Sequence, residues 1–423
     1  MLLQFSVKNY KSFKEKAVLS LEGSSDKNLP NNFVQKSKSK VLNEIAIFGA
    51  NAAGKSNIFL AITAAILTIR HSNNRQIGEP LFYIEPFAFD KKTSSEPTEF
   101  EFVFIANDGI KYVYGFSATN IKIIKEYLYA FNSNKASTIF ERDETAKEKY
   151  RFTSNHLKTK LRLIIERNTI NKLFLATAAS WNCEELKVPL LWFMSGINTY
   201  DSKYNTLYSQ ANQIFEKDED GSLKEFTKQI LKEADLNITD YTFESKDIPV
   251  NDSLPNYGSK VKVLSFTEKE YRIVMKHEII KNDGSIETYE LGINSESKGT
   301  VSLFSLSPLL KRAFSTGETI CIDEFDISLH PLLVEHLIKL FNNRILNKNN
   351  AQLIISTHTV DLLNLKLLRR DQIYFVNKSN KTAISELYSL DEFSPRTSED
   401  IRKAYLQGRF GSVPNIIEEA CHG

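Results

Sequence analysis

The chain has 423 residues, 42% hydrophobic and 25% charged, with a formal net charge of +2. This predicts a globular protein of two or three domains, or one domain with large insertions. It gives no global electrostatic case for a nucleic-acid or membrane partner and leaves only local basic patches.

At the N-terminus, MLLQFSVKNYKSF carries charges at positions 8, 11 and 14 and no apolar core of signal-peptide length. The apolar run Ala61–Ile69 is far short of a membrane span. Cys183, Cys321 and Cys421 are widely spaced. They suit neither a disulfide framework nor a metal cluster and fit a reducing cytoplasm.

The first strong signal is IAIFGANAAGKSN, Ile45 to Asn57. An apolar strand, Ile45 to Phe48, runs into Gly49, Gly54, Lys55 and Ser56, which satisfy G-x-x-x-x-G-K-[ST]. Glycines and small alanines let backbone N–H groups wrap phosphate oxygens. Lys55 neutralises the β- and γ-phosphates, and Ser56 offers a hydroxyl to Mg2+. The helix that follows points its N-terminus at the anion. Gly49, Asn51, Gly54, Lys55, Ser56 and Asn57 form the expected nucleotide-binding set.

Next, TEFEFVFIANDGIKYVYGFSAT alternates on both sides of Asn107-Asp108-Gly109, which predicts a β-hairpin. Residues 150 to 245 have helical apolar spacing in LKTKLRLIIERN, NKLFLATAASWN and SLKEFTKQILKEA, with an exposed acidic loop at 216 to 222. Without sustained heptads, this insertion predicts a compact helical lobe rather than a rod. A second hairpin signal, YRIVMKHEIIKNDGSIETYEL, turns at Asn282-Asp283-Gly284. The two hairpins together suggest one antiparallel β-subdomain.

Ser297-Lys298-Gly299-Thr300 is a polar turn before an apolar helix and in isolation reads as an N-cap. TICIDEFD then predicts a buried parallel strand ending in Asp323, an aspartate placed for Mg2+, with Glu324 as general base for a water attacking the γ-phosphate. Three carboxylates there (Asp323, Glu324, Asp326) require a cation, and Lys55 supplies it. Asp326 and Ser328 are also suited to capping the helix expected near Pro331. A third strand, Gln352 to Ser356, ends in Thr357-His358, and His358 can hydrogen-bond the γ-phosphate or cap the next helix. Basic residues gather at HLKTKLRLIIERN and LKLLRRDQ, which offer phosphate contacts or solvated helix faces.

The order of phosphate loop, insertion, signature turn, acidic strand and histidine strand resembles the ABC-type heads of SMC, RecF and OLD (overcoming-lysogenization-defect) proteins. LLQFSVKNYKSF looks like their first strand. GANAAGKSN, SKGT, DEFDISLHP, ISTHTVDLL and YLQGRFGSVP more closely resemble a compact bacterial family, AAA-type by name and ABC-like in motif. Its members occur in abortive-infection and other antiphage systems, often beside a separate nuclease or toxin. The resemblance implies an α/β P-loop NTPase of ABC-ATPase type: a mainly parallel core sheet, an antiparallel β-subdomain and a helical insertion. The expected parts are an ATPase N-lobe over 1–130, the insertion over 131–255 and a C-lobe over 256–423.

It further implies ATP and Mg2+ as cofactors and a homo-dimer or higher homo-oligomer. Ser297 and Gly299 would contact ATP held by a second protomer, and His330-Pro331 would lie in the loop facing it. Two departures stand out: Glu296 replaces the usual Leu before the signature Ser, and Thr300 replaces the usual Gln or Glu. Gln76 is a weak candidate for the missing Q-loop glutamine.

The functional expectation is a slow Mg-dependent ATPase acting as a cytoplasmic sensor or scaffold in antiphage defence, controlling a separate nuclease or toxin. One alternative is a RecF-like DNA-binding repair ATPase, with nucleic acid as partner. Another is a self-contained ATPase–ribonuclease. For the latter, Arg151/His156 and Arg272/His277 have the R-x4-6-H spacing of HEPN ribonucleases, though chance alone supplies such spacings in a chain of this composition.

Overall fold

The computed structural model describes residues 1–414 apart from 37–38, 134, 202–203, 235 and 253–263. Cys421 lies outside the described residues. In chain order the strands are β1 (Leu2–Lys8), β2 (Ala17–Ser20), β3 (Phe33–Lys36), β4 (Ser39–Leu42), β5 (Glu44–Phe48), β6 (Thr98–Ile105), β7 (Lys111–Ala118), β8 (Ile123–Phe131) and β9 (Ser137–Asp143). They continue with β10 (Tyr150–Phe152), β11 (Ile197–Asp201), β12 (Ile238–Asp252), β13 (Leu264–Ile280), β14 (Ile286–Gly292), β15 (Thr319–Asp323), β16 (Gln352–Ser356), β17 (Ile373–Lys378) and β18 (Ser385–Ser389). The helices are α1 (Lys55–Arg70), α2 (Asn155–Arg167), α3 (Phe174–Ser180), α4 (Glu184–Leu191), α5 (Tyr204–Phe215), α6 (Ser222–Glu233), α7 (Lys298–Thr316), α8 (Pro331–Asn342) and α9 (Ile401–Leu406).

The chain divides into two compact units. One holds Met1–Asp201, Ala313–Asp326 and Val334–Gly423; the other holds Ser202–Arg312 and Ile327–Leu333. These limits differ from the expected 130 and 255. β9 and β10 extend the antiparallel sheet begun before residue 130, and β11 joins the central sheet.

In the first unit a six-stranded sheet has the order β11-β15-β16-β5-β17-β18. Every neighbouring pair from β11 to β17 is parallel, and β18 is antiparallel to β17. All five residues of β5 are buried, as a parallel strand covered on both faces requires. The seven-stranded antiparallel sheet has the order β10-β9-β8-β7-β6-β1-β2. Its alternating aromatics (Phe5, Phe100, Phe102, Phe104, Phe116) are buried with Ile58, Phe59, Ile62 and Ile66 of α1 in one core. A polar staple joins the sheets. Gln352 of β16 accepts from Leu2 N (2.6 Å) and donates to Leu2 O and Leu42 O (3.0 Å each).

In the second unit, β12, β13 and β14 form an antiparallel sheet. Its Tyr241 and α5's Phe215 pack on Phe304 of α7, with ring centroids 5.1 and 4.5 Å away.

Both expected hairpins form, β6–β7 and β13–β14. They do not share a subdomain. β6 pairs with β1, and β13 pairs with β12, so each belongs to its own sheet. Residues 150–245 do hold helices α2 to α6, and Ser154 Oγ caps α2 by accepting from Leu157 N (3.1 Å). They also hold β10, β11 and the start of β12. Ile197-Asn198-Thr199-Tyr200-Asp201 is too short and too polar to announce a strand, and only pairing with β15 makes it one. Among the described residues no helix is long and apolar enough to cross a membrane.

Candidate functional site

β5 delivers the chain to the Gly49–Gly54 loop, and α1 leaves from it. Gly54 has φ +113°, and a Cβ there would stand 2.6 Å from Ser385 Oγ and 2.8 Å from Ser12 Oγ. Only glycine fits. The loop is braced from behind, because Ser385 Oγ donates to Ala53 O (2.6 Å) and Ser385 N donates to Ser12 O (2.8 Å). Asn57 turns its amide to Ser12 Oγ (2.7 Å), so this side chain holds the loop. Asn51 and Ser56 are exposed.

Lys55 is 6% exposed, and its Nζ donates to Gly49 O (2.7 Å) and Ala50 O (3.2 Å). Burial pushes its pKa down, while Asp323, Glu324 and Asp326 pull it up. No side chain caps the N-terminus of α1. The 16-residue helix therefore presents its positive end at the loop.

β15 and β16 end beside β5, with Ile322 in register with Ile355 and Ser356 with Ile47. This brings the acids to the phosphate loop. Ser356 Oγ donates to Asp323 Oδ1 and accepts from Glu324 N (2.7 Å). Glu324 sits at φ +52°. Asp326 accepts from His358 N (3.0 Å) and Thr359 Oγ1 (2.7 Å). It thus ties the two strand exits together instead of capping α8. The His358 side chain is exposed.

Uncapped N–H groups, a buried lysine and a fixed carboxylate fit a nucleotide triphosphate. Among the described residues no cluster of three His, Cys, Asp or Glu could hold a metal by itself. Mg2+ would be held through Ser56, Asp323 and a bound phosphate. Gln76 lies past the end of α1, which carries the chain about 24 Å from the loop. Its N–H donates to Glu79 Oε2 (2.8 Å), and its carbonyl accepts from Asn171 (2.8 Å).

The signature turn lies in the second unit. Exposed Ser297 caps α7, with Oγ accepting from Thr300 N (3.1 Å) and 2.8 Å from Thr300 Oγ1. A Cβ on Gly299 would meet Ser328 O at 2.8 Å, so the turn is pressed onto the loop that leads to His330-Pro331. Glu296, the unusual residue before Ser297, bonds His277 Nε2 (2.7 Å).

The ribonuclease spacings do not build a site. Arg272 and His277 are both on β13, an odd number of residues apart, and leave opposite faces. Arg151 is on β10, paired with Glu141 (3.6 Å), while His156 is on α2. The basic stretches are also engaged. Lys158, Lys160 and Arg162 pair with Glu148, Glu185 and Glu166. Arg369 is buried on Asp371, and Arg370 meets Asp26. The sequence reading missed Ser12, Ser356 and Ser385, whose roles arise only from contacts between distant segments.

Among solved structures, the chain is similar to an SMC head bound to the C-winged helix domain of ScpA, at 13% identity and TM-score 0.40, covering 92% of this chain and 97% of that one. It is also similar to an Smc head with an extended coiled coil, bound to the C-terminal domain of ScpA and derived from Pyrococcus furiosus (14%, TM-score 0.40, 96% and 99%). The recombination mediator RecF is a third (14%, TM-score 0.34, 92% and 98%). No curated protein matches. Residues 45–364, which span the phosphate loop, the signature turn, the acidic strand and His358, match the family described as "AAA domain, putative AbiEii toxin, Type IV TA system", and the chain belongs to it.

Proposed function

We propose that the protein is a slow Mg-dependent ATPase that works as a switch or scaffold in antiphage defence and controls a separate nuclease or toxin. The observation that carries the ATPase reading is buried Lys55 at the start of α1 beside Asp323, Glu324 and Asp326 at the exit of β15, in a sheet where β15, β16 and β5 run parallel. In this reading the Gly49–Gly54 backbone and the α1 N-terminus cradle the phosphates, and Lys55 neutralises them. Mg2+, held by Ser56 and Asp323, supplies charge neutralisation at the transferring phosphoryl group. Glu324 takes a proton from the attacking water, and His358 bonds the γ-phosphate. Ser297 and Gly299 complete the site of a second protomer, so ATP lies between two heads. The defence role is supported by the family description, which names a toxin–antitoxin system. Control of a separate effector is the finer part of this reading, and it draws on the toxin named in the same family description. The same reading places the protein in the cytoplasm with its ATP.

Lys55→Ala should abolish ATP binding by calorimetry and lower turnover to background, because the phosphates lose their main counter-charge. Unchanged affinity in that variant would refute the ATPase reading.

A further inference from the structure

We propose that Ser356 is a positioning residue of the ATPase site, one hydroxyl that sets both the Asp323 carboxylate and the Glu324 backbone. This rests on the ATPase reading above.

Ser356 ends β16, is fully buried, and lies between β15 and β5. The preceding residues Leu353, Ile354 and Ile355 are aliphatic, as packing in a two-sided sheet demands. Packing does not call for a hydroxyl at the next position. A serine hydroxyl has one proton and two lone pairs. An ionised carboxylate only accepts, so the proton belongs to the bond with Asp323 Oδ1. A lone pair takes the Glu324 N–H at 2.7 Å. The Ser356 carbonyl takes Phe325 N at 3.0 Å. Three consecutive residues, Asp323 to Phe325, are therefore referenced to one residue on the neighbouring strand.

The bond to Glu324 is needed locally. At φ +52° Glu324 occupies the left-handed region that L side chains avoid, and the turn persists only if something holds it. Without the hydroxyl, Asp323 gains rotational freedom and the Glu324 turn can relax. Metal affinity and base placement then fall together. Lys55 and the phosphate loop do not depend on this bond, so nucleotide affinity without metal should survive.

The test is Ser356→Cys, close in size but a poor donor, beside Ser356→Thr, which keeps the hydroxyl. Ser356→Ala repeats the comparison without a thiol. ATP binding is measured by calorimetry in EDTA and in Mg2+, and turnover at steady state. The Cys and Ala variants should bind ATP in EDTA within about twofold of the parent, yet lose about tenfold of the Mg2+-dependent tightening and about tenfold of kcat. A folded Thr variant should recover both. A parental Mg2+ response and kcat in the Cys and Ala variants overturns the role, as does a folded Thr variant as impaired as Cys. If the parent binds no ATP in either condition, the ATPase reading itself fails, and this role with it.

Discussion

Glu44, the first residue of the phosphate-loop strand, is completely buried, and burial pushes its carboxyl up from 4.5 to about 8. Asn32 Nδ2 (3.0 Å) and Asn342 Nδ2 (2.7 Å) both donate to its Oε1. These bonds favour the ionised form and offset only part of the desolvation. The folded protein therefore holds a proton that the unfolded chain releases near 4.5. Stability from this group is full below about 4.5 and is lost as pH rises toward about 8. Glu44→Gln, isosteric with the protonated form, should flatten that dependence. It should melt higher than the parent at pH 9 and no higher at pH 5; melting curves at the two values check it. At this scale the sequence was legible where chemistry is local. The placement of Lys55 at a helix start and of Asp323 at a strand end was legible because strand, loop and helix signals surround them. Ser356, Ser12 and Ser385 were illegible, since a serine at a strand end carries no mark of the carboxylate or loop it will meet after folding.

Between elements, Gln352 shows what a single buried amide carries. Its buried amide serves Leu2 N, Leu2 O and Leu42 O and also accepts from Thr319 Oγ1 (2.9 Å), joining β1 and β4 to the parallel sheet. Replacing it with Leu fills the volume but strands these groups. An unsatisfied buried polar group costs about 1–3 kcal/mol, so Gln352→Leu should lower unfolding free energy by about 3 kcal/mol or more. Urea denaturation measures it, and a loss below about 1 kcal/mol would show that the strand contacts hold without the amide. Elements with strong periodicity (α2, α6, β6, β7) followed from the sequence. β11 did not, because its strand character comes from its neighbour rather than from its own five residues.

For the whole molecule, the proposed composite site makes ATP the link between two copies. Glu324→Gln keeps the shape of the side chain but removes the proposed base, so ATP should persist and the dimer with it. Light scattering should give the mass of a dimer with ATP and of a monomer without it. Ser297→Arg in the same background should stay monomeric. A mass independent of ATP, with Ser297→Arg indistinguishable, would leave a monomeric or constitutively assembled ATPase. The Glu296–His277 bond bears on this, because it anchors the residue before Ser297 to β13.

The strand order has a consequence for the newborn chain. β5, which carries the phosphate loop, has only β16 and β17 as sheet neighbours, and both come from the last quarter of the sequence. On the ribosome, the loop, α1 and five consecutive buried residues emerge early and then wait through some 300 residues of synthesis for a partner strand. Until β16 arrives, Asp323 also lacks the serine that holds it. The proposed nucleotide site is thus assembled only after β16 and β17 have been made. During that wait the unpaired apolar strand is open to non-native pairing.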